Sequence, residues 1–232
     1  MTIPPRQSVL DALATVRDPE LDESITELGF VADVDVVEGD VRVLLRLPTF
    51  FCAPNFAYLM VADAKAAVAR VPGTVNVLVE LADHFAGSEI SDAVTCGHSF
   101  AETFEGQATG GLDDLRTLFE RKALVARQAS LCQSLFANGY SPVDLPTLTI
   151  ADLPEGKETQ RYVEQLERLG LDASAGAWAI VRASGERIPS DEVEPYLRLA
   201  RLTKVSIEGN AALCRGLLRT RYGIEGREEA LV

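Results

Sequence analysis

The sequence has few of the residues that usually bind metals or carry out catalysis. Its 232 residues include 4 cysteines and 2 histidines, and no two cysteines have the CxxC spacing of common zinc and redox sites. The fingerprints GxSxG, GxxxxGK[ST] and GxGxxG are also absent. Their absence argues against a hydrolase of the nucleophile-elbow type, a P-loop enzyme and a dinucleotide-binding enzyme.

The chain also lacks long apolar runs and an excess of positive charge. No stretch approaches the roughly 18 consecutive apolar residues of a membrane span, and the first residues lack the basic start and apolar core of a secretory signal. The net charge is −13. We therefore expect a cytoplasmic protein with reduced cysteines that binds neither nucleic acid nor anionic membranes, because such binding needs a positive surface.

Charge is unevenly distributed along the chain. Residues 1–90 carry 6 Lys and Arg against 14 Asp and Glu, whereas residues 195–221 carry 6 Lys and Arg against a single Glu, a net charge of +5. The acidic front and the basic tail either face one another or face different partners. Solvated helix faces explain the pattern nearly as well.

The hydrophobic pattern predicts an α+β protein of two consecutive domains, residues 1–90 and residues 91–232. The first is expected to be a small helix–hairpin–helix–strand domain, with elements over 7–17, 30–37, 41–47, 56–68 and 75–81. The second is expected to be mainly α-helical, with helices over 112–138, 158–169 and 191–222, a break near Thr203 and a small hairpin at 177–188. The Gly-containing segment 105–111 is the predicted flexible joint.

Cys52 lies in the most unusual segment, residues 48–56, between a predicted strand and a predicted helix. In a turn at the start of a helix, unpaired backbone N–H groups favour a thiolate, which binds metals and attacks electrophiles. A lone cysteine is more often a buried space-filling residue. Both interpretations stay open for Cys52.

Five other side chains are candidate metal ligands. Asp18 and Glu20 supply carboxylates from one turn, although Asp18 before a proline is equally typical of a turn-capping residue. His84 follows the third predicted strand, where a surface or capping histidine is the favoured interpretation. Cys96 and His98 form a single Cys-x-His pair, which is a weak indication of a metal site without a second pair.

Four short motifs occur in a recognisable order in the front domain: Val16-Arg17-Asp18-Pro19-Glu20, Leu28-Gly29, Leu47-Pro48-Thr49 with Cys52 and Pro54, and Val71-Pro72-Gly73. Over residues 7–85 the chain resembles the PaaD/SufT-like iron–sulfur cluster assembly family. The resemblance implies transient binding of iron or an iron–sulfur cluster, with Cys52 as metal ligand and Thr49 and Asn55 as cofactor-binding residues. In that family the cysteine commonly stands directly before a proline, whereas Ala53 separates Cys52 from Pro54 here.

The remainder of the chain is similar to extended actinobacterial relatives associated with propane-type di-iron monooxygenases. That similarity implies a non-enzymatic maturation factor that delivers iron or a cluster to a client, a monooxygenase hydroxylase component, with the helical region as the client-binding part. A homo-oligomer is compatible with this interpretation. Two alternatives remain: a metal-free adaptor or chaperone for monooxygenase assembly, and a thiol enzyme that uses Cys52 as nucleophile with His84 or His98 as base.

Overall fold

The computed structural model describes residues 3–105 and 112–223. Apart from Glu105, the predicted joint at 105–111 lies outside the described residues. The chain forms two compact units: the first contains residues up to Asp114 together with residues from Asn210 onward, and the second contains Leu115–Gly209. We describe each unit by itself.

A three-stranded sheet forms the centre of the first unit. Strands β1 (Val31–Val37) and β2 (Asp40–Arg46) form the predicted antiparallel hairpin, and β3 (Asn76–Ala82) lies parallel to β2 on its other side. The hairpin turn has φ of 53° at Glu38 and 96° at Gly39. Two successive positive φ values match the twist of the flanking strands, which explains why a Glu-Gly pair connects them.

Three helices pack on this sheet through apolar faces: α1 (Arg6–Leu13), α2 (Pro54–Val68) and α3 (Gly87–Cys96). The short α4 (Phe100–Thr103) follows and contacts α3. The positions of α2 that belong to the core of this unit follow the helical period and are Ala57, Met60, Val61, Ala64 and Val68. The predicted helix–hairpin–helix–strand order is confirmed, while α1 ends four residues before the predicted position 17 and α3 was not predicted.

The second unit is mainly helical, as expected. It contains most of α5 (Leu112–Ala137), all of α6 (Lys157–Arg168) and the first part of α7 (Val193–Tyr222). The predicted break near Thr203 is wrong, because α7 runs without interruption through that position. Of the predicted hairpin at 177–188 the structure retains a single bridge between Val181 and Arg187.

A buried hydrogen-bond network lies inside the second unit. Gln128 donates to the hydroxyl of Tyr162 at 2.9 Å and to the carbonyl of Val181 at 2.8 Å, and its own oxygen accepts from Tyr196. Tyr162 donates in turn to the carbonyl of Ala179 at 2.8 Å. Because every member has a partner, this network joins α5, α6, α7 and the 179–181 segment without leaving a buried polar group unsatisfied.

The last turns of α7 belong to the first unit. Ala211 and Leu218 are buried in the core of the sheet and its helices, with Cys214 and Tyr222 packed against the same core. The compact units therefore do not coincide with the consecutive segments 1–90 and 91–232, and whether either segment folds alone stays a prediction. None of the helices in the described part of the chain is long and apolar enough to cross a bilayer.

Candidate functional site: the Cys52 loop

The Cys52 loop, residues 47–53, connects the end of β2 to the start of α2. Pro54 is the first residue of α2, and the N-cap Ala53 has no side chain that caps the helix. Because β3 is parallel to β2, with Ala82 opposite Arg46, both strands end at one edge of the sheet. Residues that follow β3 are thereby brought to the Cys52 loop.

The Cys52 thiol is half-buried at this edge. It packs against the core of the first unit, and its sulfur lies 3.3 Å from the hydroxyl oxygen of Thr49. Asn55, in the first turn of α2, uses its side-chain oxygen to accept from the backbone N–H of Phe56 at 2.9 Å. The loop thus presents a half-buried thiol with one neighbouring hydroxyl.

His84 holds the loop through its backbone. The ring is buried; Nδ1 accepts from the N–H of Ala86 at 3.2 Å, so Nε2 carries the proton and donates to the carbonyl oxygen of Cys52 at 2.7 Å. Burial lowers the pKa of His84, which keeps the imidazole neutral. Of the favoured interpretation, a surface or capping histidine, the surface part is wrong, whereas the bond from the N–H of Ala86, the N-cap residue of α3, agrees with the capping part. A metal would bind His84 only by displacing one of these two bonds.

Three phenylalanines form an exposed aromatic cluster beside the thiol. Phe50, Phe51 and Phe85 are 45%, 75% and 48% exposed, and their ring centroids lie 5.0 to 6.3 Å apart. The N–H of Phe85 donates to the carbonyl of Phe50 at 3.1 Å, which joins the turn after β3 to the Cys52 loop. Clustered exposed aromatic rings are typical of surfaces that contact another macromolecule.

The Asp18 carboxylate is buried and caps its own turn. It accepts from the N–H groups of Glu20 and Leu21 at 2.8 and 2.9 Å. Burial raises the pKa of Asp18 to about 6, although these two bonds oppose the rise. The turn-capping interpretation of Asp18 therefore agrees with the structure. Metal binding by Asp18 and by the half-buried Glu20 stays a prediction.

Cys96 and His98 lie at the far end of α3. Both are exposed, and Gly97 between them ends the helix with φ of 77°. The helix begins three residues after His84 and is about 15 Å long, so it carries Cys96 away from the Cys52 loop. The carbonyl of His98, after the turn at Gly97, accepts from the hydroxyl of Tyr58 on α2. Within residues 3–105 and 112–223, no three His, Cys, Asp or Glu side chains are grouped so that they could hold a metal ion.

Comparison with known proteins agrees with the resemblance of the front domain. The family model described as iron–sulfur cluster assembly protein matches residues 6–79. An uncharacterized protein of Methanocaldococcus jannaschii is 34% identical over 88 residues, which cover 38% of this chain and 90% of that protein. Through this region, the chain belongs to the iron–sulfur cluster assembly protein family.

Two further relatives of this family member are named iron–sulfur cluster carrier proteins. The protein of Synechocystis is 36% identical over 74 residues, 32% of this chain, and that of Mycobacterium leprae is 42% identical over 77 residues, 33% of this chain. Each match spans 20% of the carrier protein's own length. No solved structure matches the chain. Asp18, Glu20 and Cys52 lie inside the family match, and His84 lies after it.

Sequence reasoning left one half-buried thiol of the first unit, Cys214, out of the candidate site residues. Cys214, on α7, is half-buried in the first unit. Burial raises the pKa of Cys214 to about 11, and the nearby charges of Asp18, Cys52 and Glu20 add to the rise. The spacing of Ala211, Cys214 and Leu218 on one helical face was the available signal, but it indicates only that the face is covered.

Proposed function

We propose that this protein binds iron or an iron–sulfur cluster transiently at the Cys52 loop and delivers it to a client protein. The observation that carries the proposal is the half-buried Cys52 thiol in a loop whose backbone is held by His84, inside the segment that matches the iron–sulfur assembly family. Thiolate is a favoured ligand for iron and its clusters. A site with few protein ligands suits a cargo that has to leave again.

The residues around Cys52 have separate tasks in this proposal. His84 fixes the backbone of the loop through the Cys52 carbonyl, and Thr49 offers a hydroxyl to the sulfur. The exposed rings of Phe50, Phe51 and Phe85 supply an apolar surface against which a client would exclude water from the sulfur. The iron or cluster would then pass from Cys52 to ligands of the client at an interface from which water is partly excluded.

We further propose that the client is a soluble di-iron monooxygenase component, bound in part by α7. The support is the similarity of the helical region to the extended actinobacterial relatives. In the second unit, α7 exposes Leu199, Leu202 and Val205 next to the exposed Arg198 and Arg201. An apolar stripe beside cations suits an acidic client surface with an apolar centre.

Anaerobic reconstitution with ferrous iron and sulfide tests the delivery proposal. We expect wild-type protein to retain iron, and Cys52→Ser to lose it while its unfolding midpoint stays close to wild type, because a hydroxyl replaces a soft thiolate of similar size. Cys96→Ser is the matched control, since Cys96 is exposed at the far end of α3. Iron retention by Cys52→Ser equal to wild type would contradict the proposal.

A metal-free adaptor is the second candidate. It is favoured by the lack, among the described residues, of any group of three potential ligands. A wild-type protein that retains neither iron nor sulfide but still binds the monooxygenase component would support it. The thiol-enzyme alternative has less support, because the ring nitrogen Nε2 of His84 donates to the backbone carbonyl of Cys52 and not to its sulfur.

A further inference from the structure

The last turn of α7 contacts the Cys52 loop through one side chain. One terminal nitrogen of the Arg221 guanidinium donates to the carbonyl oxygen of Leu47, the first residue of the loop, at 3.1 Å. The other terminal nitrogen donates to the carbonyl oxygen of Asp83, which directly follows β3. Because β2 and β3 end at the same edge of the sheet, Arg221 joins the two segments that leave this edge.

The turn after β3, residues 83–86, begins with an uncommon backbone conformation. Asp83 has a φ of 49°, in the left-handed region that residues other than glycine seldom occupy. His84 and the residue after it then donate to the carbonyls of Cys52 and Phe50, both in the Cys52 loop. The bond from Arg221 to the Asp83 carbonyl therefore holds the residue from which both of these contacts to the loop start.

An aromatic ring holds the Arg221 side chain in place. The guanidinium carbon of Arg221 lies 5.2 Å from the ring centroid of Tyr222, and that of Arg46 lies 5.1 Å from the same centroid. Cations at this distance are attracted to the face of an aromatic ring. Arg46 is the last residue of β2, directly before Leu47, so this stack also ties the end of α7 to the start of the Cys52 loop.

We propose that Arg221 is a positioning residue of the Cys52 site, which keeps the loop and the turn after β3 in the arrangement that retains the iron or cluster. A guanidinium presents its donors in a rigid planar fork, so one side chain can hold two carbonyl oxygens at once. Arg221 lies far outside residues 6–79, the segment that matches the family. In this chain, the site of the family segment therefore depends on the last turn of α7.

This inference deepens the proposed function and rests on it for the identity of the cargo, but not for the hold on the loop. A simpler explanation is that Arg221 only fastens the end of α7 to the first unit. Loss of Arg221 would then loosen the last turn of α7 and leave the Cys52 loop as in wild type. Amide hydrogen exchange separates the two explanations, because it reports local opening segment by segment.

Hydrogen exchange of the full chain, read by peptide mass spectrometry before iron is added, tests the hold on the loop. In Arg221→Met, we expect exchange over 47–53 and 83–86 to be about 10-fold faster, the factor that corresponds to loss of a hydrogen bond from a charged donor. Exchange in α1 and β1 should stay as in wild type. Arg221→Lys keeps the charge without the planar fork and should give an intermediate rate. Arg219→Met, at an exposed position of the same turn, is the matched control and should exchange as wild type.

Release of iron gives the functional reading. After anaerobic loading with ferrous iron and sulfide, transfer of iron to a chelator should be about 10-fold faster from Arg221→Met than from wild type or Arg219→Met, since loss of residues that orient metal ligands costs about 10–100-fold in affinity.

Three results would overturn the inference: wild-type exchange in the loop of either Arg221 variant, an equal increase over the whole first unit, which indicates a general loss of stability, or unchanged iron release. If Arg221→Met does not fold, Arg221→Lys decides by the same criteria. A wild-type protein that retains no iron, together with the expected loop exchange in the variants, would instead count against the proposed cargo.

Discussion

The polar side chains of the two units are used in opposite ways. In the second unit, Gln128, Tyr162 and Tyr196 are buried and joined to one another and to backbone carbonyls. In the first unit, the imidazole of His84 and the guanidinium of Arg221 also donate to backbone carbonyls. These carbonyls belong to the loop that carries the half-buried Cys52 thiol. One network lies inside a core, and the other surrounds a half-buried thiol.

The comparison indicates where chemistry can take place. A fully satisfied buried network rigidifies its unit and offers no group to a ligand. The Cys52 loop keeps its backbone fixed while its sulfur has one polar neighbour, Thr49. A fixed backbone with an accessible donor is the arrangement expected of a binding site, so the first unit carries the proposed metal site.

The largest expected difference between the units is in thiol reactivity. Cys132, in the second unit, is 2% exposed, and burial raises its pKa from 9.0 to about 12. At neutral pH this lowers its thiolate fraction about 1,000-fold, because each pKa unit is a factor of ten. Alkylation of native protein, read by peptide mass spectrometry, should find Cys132 slowest and Cys52 faster than Cys132 and Cys214. Cys52 as the slowest of the four would break the comparison.

The buried network should dominate the stability of the second unit. Gln128→Ala removes bonds to Tyr162, Tyr196 and Val181 and leaves a cavity, so we expect the free energy of unfolding to fall by about 3 kcal/mol. Gln133→Ala is the matched control on the same helix; Gln133 is exposed and bonds Lys204, and its loss should cost less than about 0.5 kcal/mol. Equal effects in denaturant titrations would show that the network contributes little.

The buried carboxyl of Asp18 should make the stability of the first unit depend on pH. Its pKa is about 6 in the folded chain against an ordinary 3.8, so the folded state binds the proton more tightly between these values. Stability should therefore fall as pH rises from about 4 to 6, by about 2–3 kcal/mol.

Asp18→Asn keeps an oxygen for the N–H groups of Glu20 and Leu21 and removes the titrating proton. Denaturant titrations at a series of pH values should show that the variant loses this decrease and is more stable than wild type at pH 7. Asp92→Asn, at an exposed position of α3, should retain the wild-type profile. An unchanged profile in Asp18→Asn would rule out Asp18 as its source.

The smallest expected effect concerns the exposed cations of α7 in the second unit. Reversal of charge at Arg198 and Arg201 should slow association with a monooxygenase hydroxylase component several-fold at low salt, because exposed charges mainly steer encounter. The reversal should also reduce the salt dependence of the rate and leave iron retention unchanged. An identical effect from reversal at exposed Arg70, in the first unit, would assign the steering to net charge alone.

Local patterns were sufficient to predict most of the elements. The Glu38-Gly39 turn, the start of α2 at Pro54 and the end of α5 before Gly139 all depend on backbone preferences of the residues themselves. For the same reason the position of Cys52 between β2 and α2 was predictable. The helix α3 was missed, since its ten residues follow β3 closely and no separate apolar run marks its start.

The sequence by itself determined the element order, the family resemblance and the Cys52 loop, because each depends on neighbouring residues. Only the tertiary structure decided that His84 supports that loop, through the parallel pairing of β2 with β3, and that Arg215 uses part of the basic tail against the acidic front. It also decided that Cys214, on the last part of α7, packs against the core of the first unit. Periodicity shows that a helical face is covered, but the covering surface is chosen by packing between residues far apart in the chain.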